Sequence, residues 1–186
     1  MKVEVTPESF TLVDYSSEVI ADIVNEVGHA LGLADDLAVR VEVDETTPLG
    51  NSALLSIDPV VISVESGALE DAKRPRQLST AGTATVLGLL LARVRDRLDP
   101  DFGDPGADED MPPHHFSAWE VYAAGRIVRL GYRAYDDRQR RLYHFRIRHG
   151  FSDVGDAVFD RLWTGDGLTW SEITAMSDQA AAAIPA

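Results

Sequence analysis

Hydrophobic and polar positions follow two different rhythms along this chain, and the changes of rhythm mark its elements. Residues 2–5 and 37–44 alternate at every second position, with Val39, Val41 and Val43 on one side, so both read as strands. A turn at Pro48, Leu49, Gly50 and Asn51 leads to an extended stretch over 53–57, and Asp58-Pro59 then leads into Val60, Val61, Ile62, Ser63 and Val64. That last run is β-branched and almost wholly apolar, which is the composition of a central strand. Between the first two strands, Ile20, Ile23, Val24, Val27 and Leu31 fall on one side of a helical wheel. Glu18, Asp22, Asn25, Glu26 and His29 fall on the other. Ser16 or Ser17 is available as N-cap and Gly32 as the stop, so a helix over 18–31 is expected. Thr6 ahead of Pro7 offers one more short helical start.

The longest helical pattern runs over 80–98, with Val86, Leu87, Leu89, Leu90, Leu91, Val94 and Leu98. These cover too much of the wheel for one stripe, so this helix belongs in a core. Residues 99–113 break the pattern with Pro100, Pro105, Pro112, Pro113, Gly103, Gly106 and six acidic residues, and read as an exposed loop. Ser117-Ala118-Trp119-Glu120 then has the form of a capping box opening a short helix that Gly125 ends. Over 126–149 the apolar residues alternate again: Val128, Leu130, Tyr132 and Ala134, then Tyr143, Phe145 and Ile147. This fits a hairpin, with a helix continued through 126–133 as the alternative. In the tail, Ser152 can cap a helix over 153–163 that presents Val154, Ala157, Val158 and Leu162, and Thr169-Trp170-Ser171-Glu172 is a second capping box for a last helix to about Ala182.

The expected fold class is therefore α+β: a small mixed or antiparallel sheet packed on the two helices 18–31 and 80–98, followed by a mainly helical C-terminal part. The corresponding division is an α+β core over 1–98, an acidic Pro/Gly-rich loop over 99–115, and a helical region over 116–186 with the basic hairpin 126–149, packed on the core as one domain. At 186 residues the chain can bury a substantial core without staples.

Composition narrows the chemistry. There is no cysteine, which removes thiol catalysis, disulfides and thiolate metal sites. No apolar run approaches the length that spans a bilayer, and the N-terminus lacks the build of a signal peptide, so a cytoplasmic protein without membrane association is expected. The net charge of −14 argues against nucleic acid as a general partner. That charge is uneven: 8 basic against 22 acidic residues over 1–119, 8 against 3 over 120–150, and 1 against 6 over 151–186. Arg129, Arg133, Arg146 and Arg148, with Tyr132, Tyr143 and Phe145 between them, could form a basic ribbon with stacking platforms for a nucleotide strand. The competing account pairs these arginines with the chain's own acids or with those of a second copy.

Residues 25–32, Asn-Glu-Val-Gly-His-Ala-Leu-Gly, come within one residue of the HExxH helix of zinc proteases. Glu26, His29, Gly32 and Asp35 occupy the columns of the longer HExxHxxGxxH pattern, but Asn25 stands where the first histidine belongs. Zinc needs three protein ligands, so the plainer account is the solvated edge of an amphipathic helix. The order helix, strand 39–43, strand 60–64, helix from Thr80 resembles the smallest zincin-like metallopeptidases. In those the second helix carries the metal, whereas here Thr85 to Ala92 contains neither histidine nor glutamate, which implies a relative without the active site. A third resemblance is to the nucleotide-binding domain of histidine and anti-sigma kinases. It rests on Asn25 and His29, on Glu65-Ser66-Gly67, and on Leu87-Gly88-Leu89-Leu90-Leu91-Ala92-Arg93, and it lacks the family's phosphate-contacting glycines. His114-His115 beside Asp108, Glu109 and Asp110 could take up a divalent ion adventitiously, but the spacing is not that of a calcium loop and a solvated acidic loop is the plainer account. No P-loop, GxSxG elbow or Ser-His-Asp order occurs.

These readings converge on a non-catalytic interaction module with no cofactor and no catalytic residues. Its partner is expected to be a protein or a second copy of the chain, as a homodimer. The expected contacts are exposed Trp119, Trp163 and Trp170 with Arg129, Arg133, Arg146 and Arg148, since Trp and Arg are favoured anchors. The competing classes are a zincin-like metal-dependent hydrolase, with Glu26, His29 and Asp35 as its weak metal candidates, and a nucleotide or nucleic-acid binder working through 126–149.

Overall fold

The computed structural model describes residues 1–132 and 138–183, which divide into two compact units: 1–95 with Tyr132, and 96–131 with 138–183. The fold is α+β. In the first unit, β1 (Lys2–Thr6), β2 (Ala38–Asp44), β3 (Ser52–Ile57) and β4 (Val60–Glu65) form a sheet in the order β1-β2-β4-β3. β1 and β4 both run parallel to β2, and β3 joins β4 antiparallel, so the sheet is mixed. Register places Val5 beside Val41, Val41 beside Ile62, and Val43 beside Val64. All five are buried, and they give the sheet one continuous apolar face. The intervening positions Glu4, Arg40 and Glu42 carry the polar side, with Arg40 paired to Glu4 at 3.4 Å.

The connection from β1 to β2 is α1 (Ser17–Ala30), which packs on β1. Ser16 caps it by accepting from the Val19 amide, and Ile20, Val24 and Val27 are fully buried. Its end is a Schellman turn: the Leu33 amide donates to the Gly28 carbonyl and the Gly32 amide to that of His29, with Gly32 at φ 76°. The short helix expected after Thr6 does not form; residues 7–15 are turns and isolated bridges. Tyr15 closes this region from inside, its hydroxyl donating to the Ser66 carbonyl at 2.7 Å. A short hairpin, β5 (Glu70–Asp71) with β6 (Arg74–Leu78), leads to α2 (Thr80–Leu98), capped by Ser79. Burial along α2 includes Thr83, Ala84, Thr85, Leu87, Leu90, Leu91, Ala92 and Val94, which is the wide apolar surface its sequence implies. The division between the units falls within this helix, and the acidic loop that follows belongs to the second unit.

The second unit is built on α3 (Pro113–Arg129), which packs against α4 (Arg138–His149), α5 (Asp153–Thr164) and α6 (Trp170–Ala182). α3 corrects two sequence expectations. It begins at Pro113 rather than at a capping box on Ser117, because proline suits the first helical position. It also continues through Gly125, which is where the helix meets α5: a Cβ there would lie 2.0 Å from the Trp163 carbonyl oxygen. The glycine serves close approach, not termination. The alternation over 126–149 resolves as helix on both sides, with residues 133–137 outside those described. In α5 the buried face is Gly155, Val158, Phe159, Leu162 and Trp163, while Val154 is exposed. Thr169 and Glu172 form the reciprocal capping box of α6 as expected.

Candidate functional site

Of the near-metalloprotease residues only His29 and Asp35 approach each other, and among the described residues they belong to no cluster of three potential ligands. Asn25 donates to the Ala21 carbonyl of its own helix, and Glu26 accepts from the Tyr132 hydroxyl at 3.0 Å. His29 sits 3.4 Å from Asp35, both exposed.

The predicted contact residues fare unevenly. Trp119 is fully buried and Trp163 nearly so, so these two are not exposed as expected, while Trp170 is half-buried. Trp119 is drawn inward by chemistry as well as packing. Its indole N–H donates to Asp96 at 2.7 Å, and Arg126 makes a bidentate pair with the same carboxylate at 2.6 Å through each nitrogen. Both charged groups are about 95% buried, and the Arg126 guanidinium lies over the Tyr122 ring at 4.1 Å. Arg129 donates to the Trp163 and Gly165 carbonyls, closing the C-terminal end of α5. Arg146 makes a fork with Asp156 and holds that carboxyl below the ordinary range. Arg138 pairs with Asp160. Arg148 and Arg140 are exposed, and Arg133 lies outside the described residues.

A period-two pattern wound into a helix sends alternate residues to opposite faces, and α4 shows the result. Phe145 and His149 face inward and are fully buried, with Phe145 edge-on to Phe159 at 5.7 Å. Tyr143 and Ile147 point outward, 55% and 54% exposed, and Phe151 just beyond the helix is 65% exposed. Tyr143 and Phe151 lie ring to ring at 6.2 Å, so these side chains form one outward patch. α4 also carries five arginines and no acid.

The imidazoles of the second unit form a separate constellation. His114 and His115, in the first turn of α3, both reach the same oxygen of Asp178 on α6: Nε2 to Oδ1 is 3.1 Å and 2.7 Å. The hydrogen bond from His115, burial against it, and then the bond from His114 leave the Asp178 carboxyl below its usual range. The His115 ring meets Trp170 edge-on at 6.2 Å, and His114 meets His149 at 6.1 Å. His149 is itself fixed: Nδ1 donates to the Phe145 carbonyl, so Nε2 accepts from the Ser177 hydroxyl at 2.8 Å. Burial pushes His149 below its ordinary value, partly offset by the Phe145 carbonyl. Ser177 and His149 have the spacing of a nucleophile and its base, and both are fully buried. Sequence reasoning set His114 and His115 beside the nearby acids 108–110; the partner is instead an aspartate 63 and 64 residues away, for which no local signal exists.

No protein-family model matches the chain, and the comparisons with curated proteins and with solved structures likewise give no match.

Proposed function

We propose that this protein is a non-catalytic interaction module that binds through the outward face of α4 and the segment entering α5. The observation that carries the reading is the patch of Tyr143, Ile147 and Phe151, all more than half exposed and flanked by exposed Arg140 and Arg148. Large apolar side chains rimmed by arginine have the composition of an interface core and rim. The occupant we assign is a second copy of this chain. A helix with five arginines and no acid, in a chain of net charge −14, meets complementary charge on another molecule of its own kind. The competing nucleic-acid reading is weakened because Arg129, Arg138 and Arg146 already bond carbonyls or carboxylates.

Sedimentation velocity across a concentration series tests this. A dimer that dissociates in Ile147→Glu, and more fully in the Tyr143→Ser and Ile147→Glu pair, with unchanged far-ultraviolet circular dichroism, supports it. A monomer at every concentration, or a dimer indifferent to these changes, refutes it.

A further inference from the structure

We propose that His114, His115 and Asp178 form a binding site for one divalent transition-metal ion of the zinc class. These residues are distinct from Glu26, His29 and Asp35, the metal candidates of the near-HExxH segment, and the site is separate from the exposed α4 patch. Each of the three residues offers one potential ligand atom, an imidazole nitrogen or a carboxylate oxygen, and these three atoms lie within 4.8 Å of one another. Zinc at about 2.0–2.2 Å from each nitrogen and oxygen sets tetrahedral ligand atoms about 3.3–3.5 Å apart. The separations of 3.1 Å and 2.7 Å from each Nε2 to Oδ1 are already close to that edge, so small side-chain rotations suffice. Two imidazoles and one carboxylate favour zinc, copper, nickel or cobalt over magnesium or calcium, which prefer all-oxygen sites.

The surroundings favour a defined site over chance surface chelation. The side chains of His114 and His115 are 32% and 18% exposed, so each ring is largely held while solvent still reaches the cluster. His115 is braced edge-on by Trp170 and His114 by His149, whose own orientation is fixed by Ser177 and Phe145. Braced imidazoles lose less freedom on binding an ion. His149 is committed to those two partners and is not a ligand, which leaves three protein ligands and a fourth position for water. One term opposes: the ligating histidines sit in the first turn of α3, where the helix dipole disfavours a cation. The Asp178 charge offsets it, so the expected affinity is that of an exchangeable ion rather than a permanently held one.

Titration of the full chain with Co²⁺ and Zn²⁺ by calorimetry, and with Ni²⁺ by quenching of tryptophan fluorescence, reads the site directly. Trp170 stands beside His115 and makes the second readout local. One equivalent per chain is expected, weakened roughly tenfold or more in each of His114→Gln, His115→Gln and Asp178→Asn. His29→Ala and His144→Ala should bind as the unsubstituted chain does. Absence of saturable binding overturns the proposal, as does binding that the three ligand substitutions leave unchanged or that either control abolishes. Asp178, on the exposed side of α6, can be replaced without disturbing packing, so at least one variant remains folded and informative.

Discussion

Replacing Asp96 with alanine should remove a large part of the second unit's stability. The Asp96 carboxylate accepts two hydrogen bonds from Arg126 at 2.6 Å and one from the Trp119 indole at 2.7 Å, with both charged groups about 95% out of water. Removing one partner of such a pair leaves an uncompensated buried guanidinium, at a cost of about 3–5 kcal/mol. The stranded Trp119 N–H adds a penalty of about 1–3 kcal/mol, though the two overlap because one vacated space relaxes for both. A loss of about 4 kcal/mol is expected, against a total of about 5–15 kcal/mol for an ordinary domain. Trp119, Trp163 and Trp170 all lie in the second unit, so urea unfolding followed by tryptophan fluorescence reports on it selectively. With a slope of about 1–3 kcal/mol per molar, the midpoint should fall by about 1.3–4 M. The diagnostic comparison is the double variant Asp96→Leu with Arg126→Met, in which neither charge is buried. It should be more stable than Asp96→Ala alone, because the desolvation of the guanidinium disappears with its partner. Should Asp96→Ala not fold, Asp96→Asn, which keeps one acceptor, supports the same comparison. A single-variant loss under about 1 kcal/mol, or a double variant no better than the single, would refute the reasoning.

Gly125→Ala should lower the melting temperature although alanine is the better helix former by about 1 kcal/mol. The new Cβ falls 2.0 Å from the Trp163 carbonyl oxygen, so α3 and α5 must part, at about 1–3 kcal/mol or more; an unchanged or higher melting temperature contradicts this. Alkaline pH provides a test in the first unit. Burial, with the Glu70 charge adding to it, pushes the Tyr15 hydroxyl up to about 12. Its stabilising effect is complete below the unfolded value near 10 and is lost as pH rises toward 12, because the unfolded chain ionises first, at about 2 kcal/mol over the window. Circular-dichroism denaturation at pH 9 and pH 11.5 should show a smaller decline in Tyr15→Phe than in the unsubstituted chain, and equal declines would show that Tyr15 is not the group responsible.

Much of the framework is legible in the sequence. The helix over 18–31 appears as Ser17–Ala30 with its cap and glycine stop, the helix over 80–98 appears as Thr80–Leu98, and the strand pattern at Val39, Val41 and Val43 is buried as its alternation implied. These succeeded because caps and periodicity are local: the residues that decide them lie within a turn or two of one another. The candidate sites were far less legible. Trp119 read as an exposed anchor because its hidden partner, Asp96, lies 23 residues upstream. Gly125 read as a stop because its reason for being glycine is the Trp163 backbone on another helix.

The alternating stretch around Tyr143 shows the boundary between the two kinds of information. As a strand its alternation would have put Tyr143, Phe145 and Ile147 on one face, whereas as a helix the same spacing sends successive members to opposed sides. Only the packing of α4 against α3, α5 and α6 decided that Phe145 and His149 would be covered and Tyr143 and Ile147 left outside. His114 and His115 follow the same rule. The sequence determined two adjacent imidazoles at the start of a helix, while the approach of α6 decided that one Asp178 oxygen would face them both. Helix and strand periods are fixed by bonds between near neighbours, whereas a site assembled from distant segments exists only once those segments have docked.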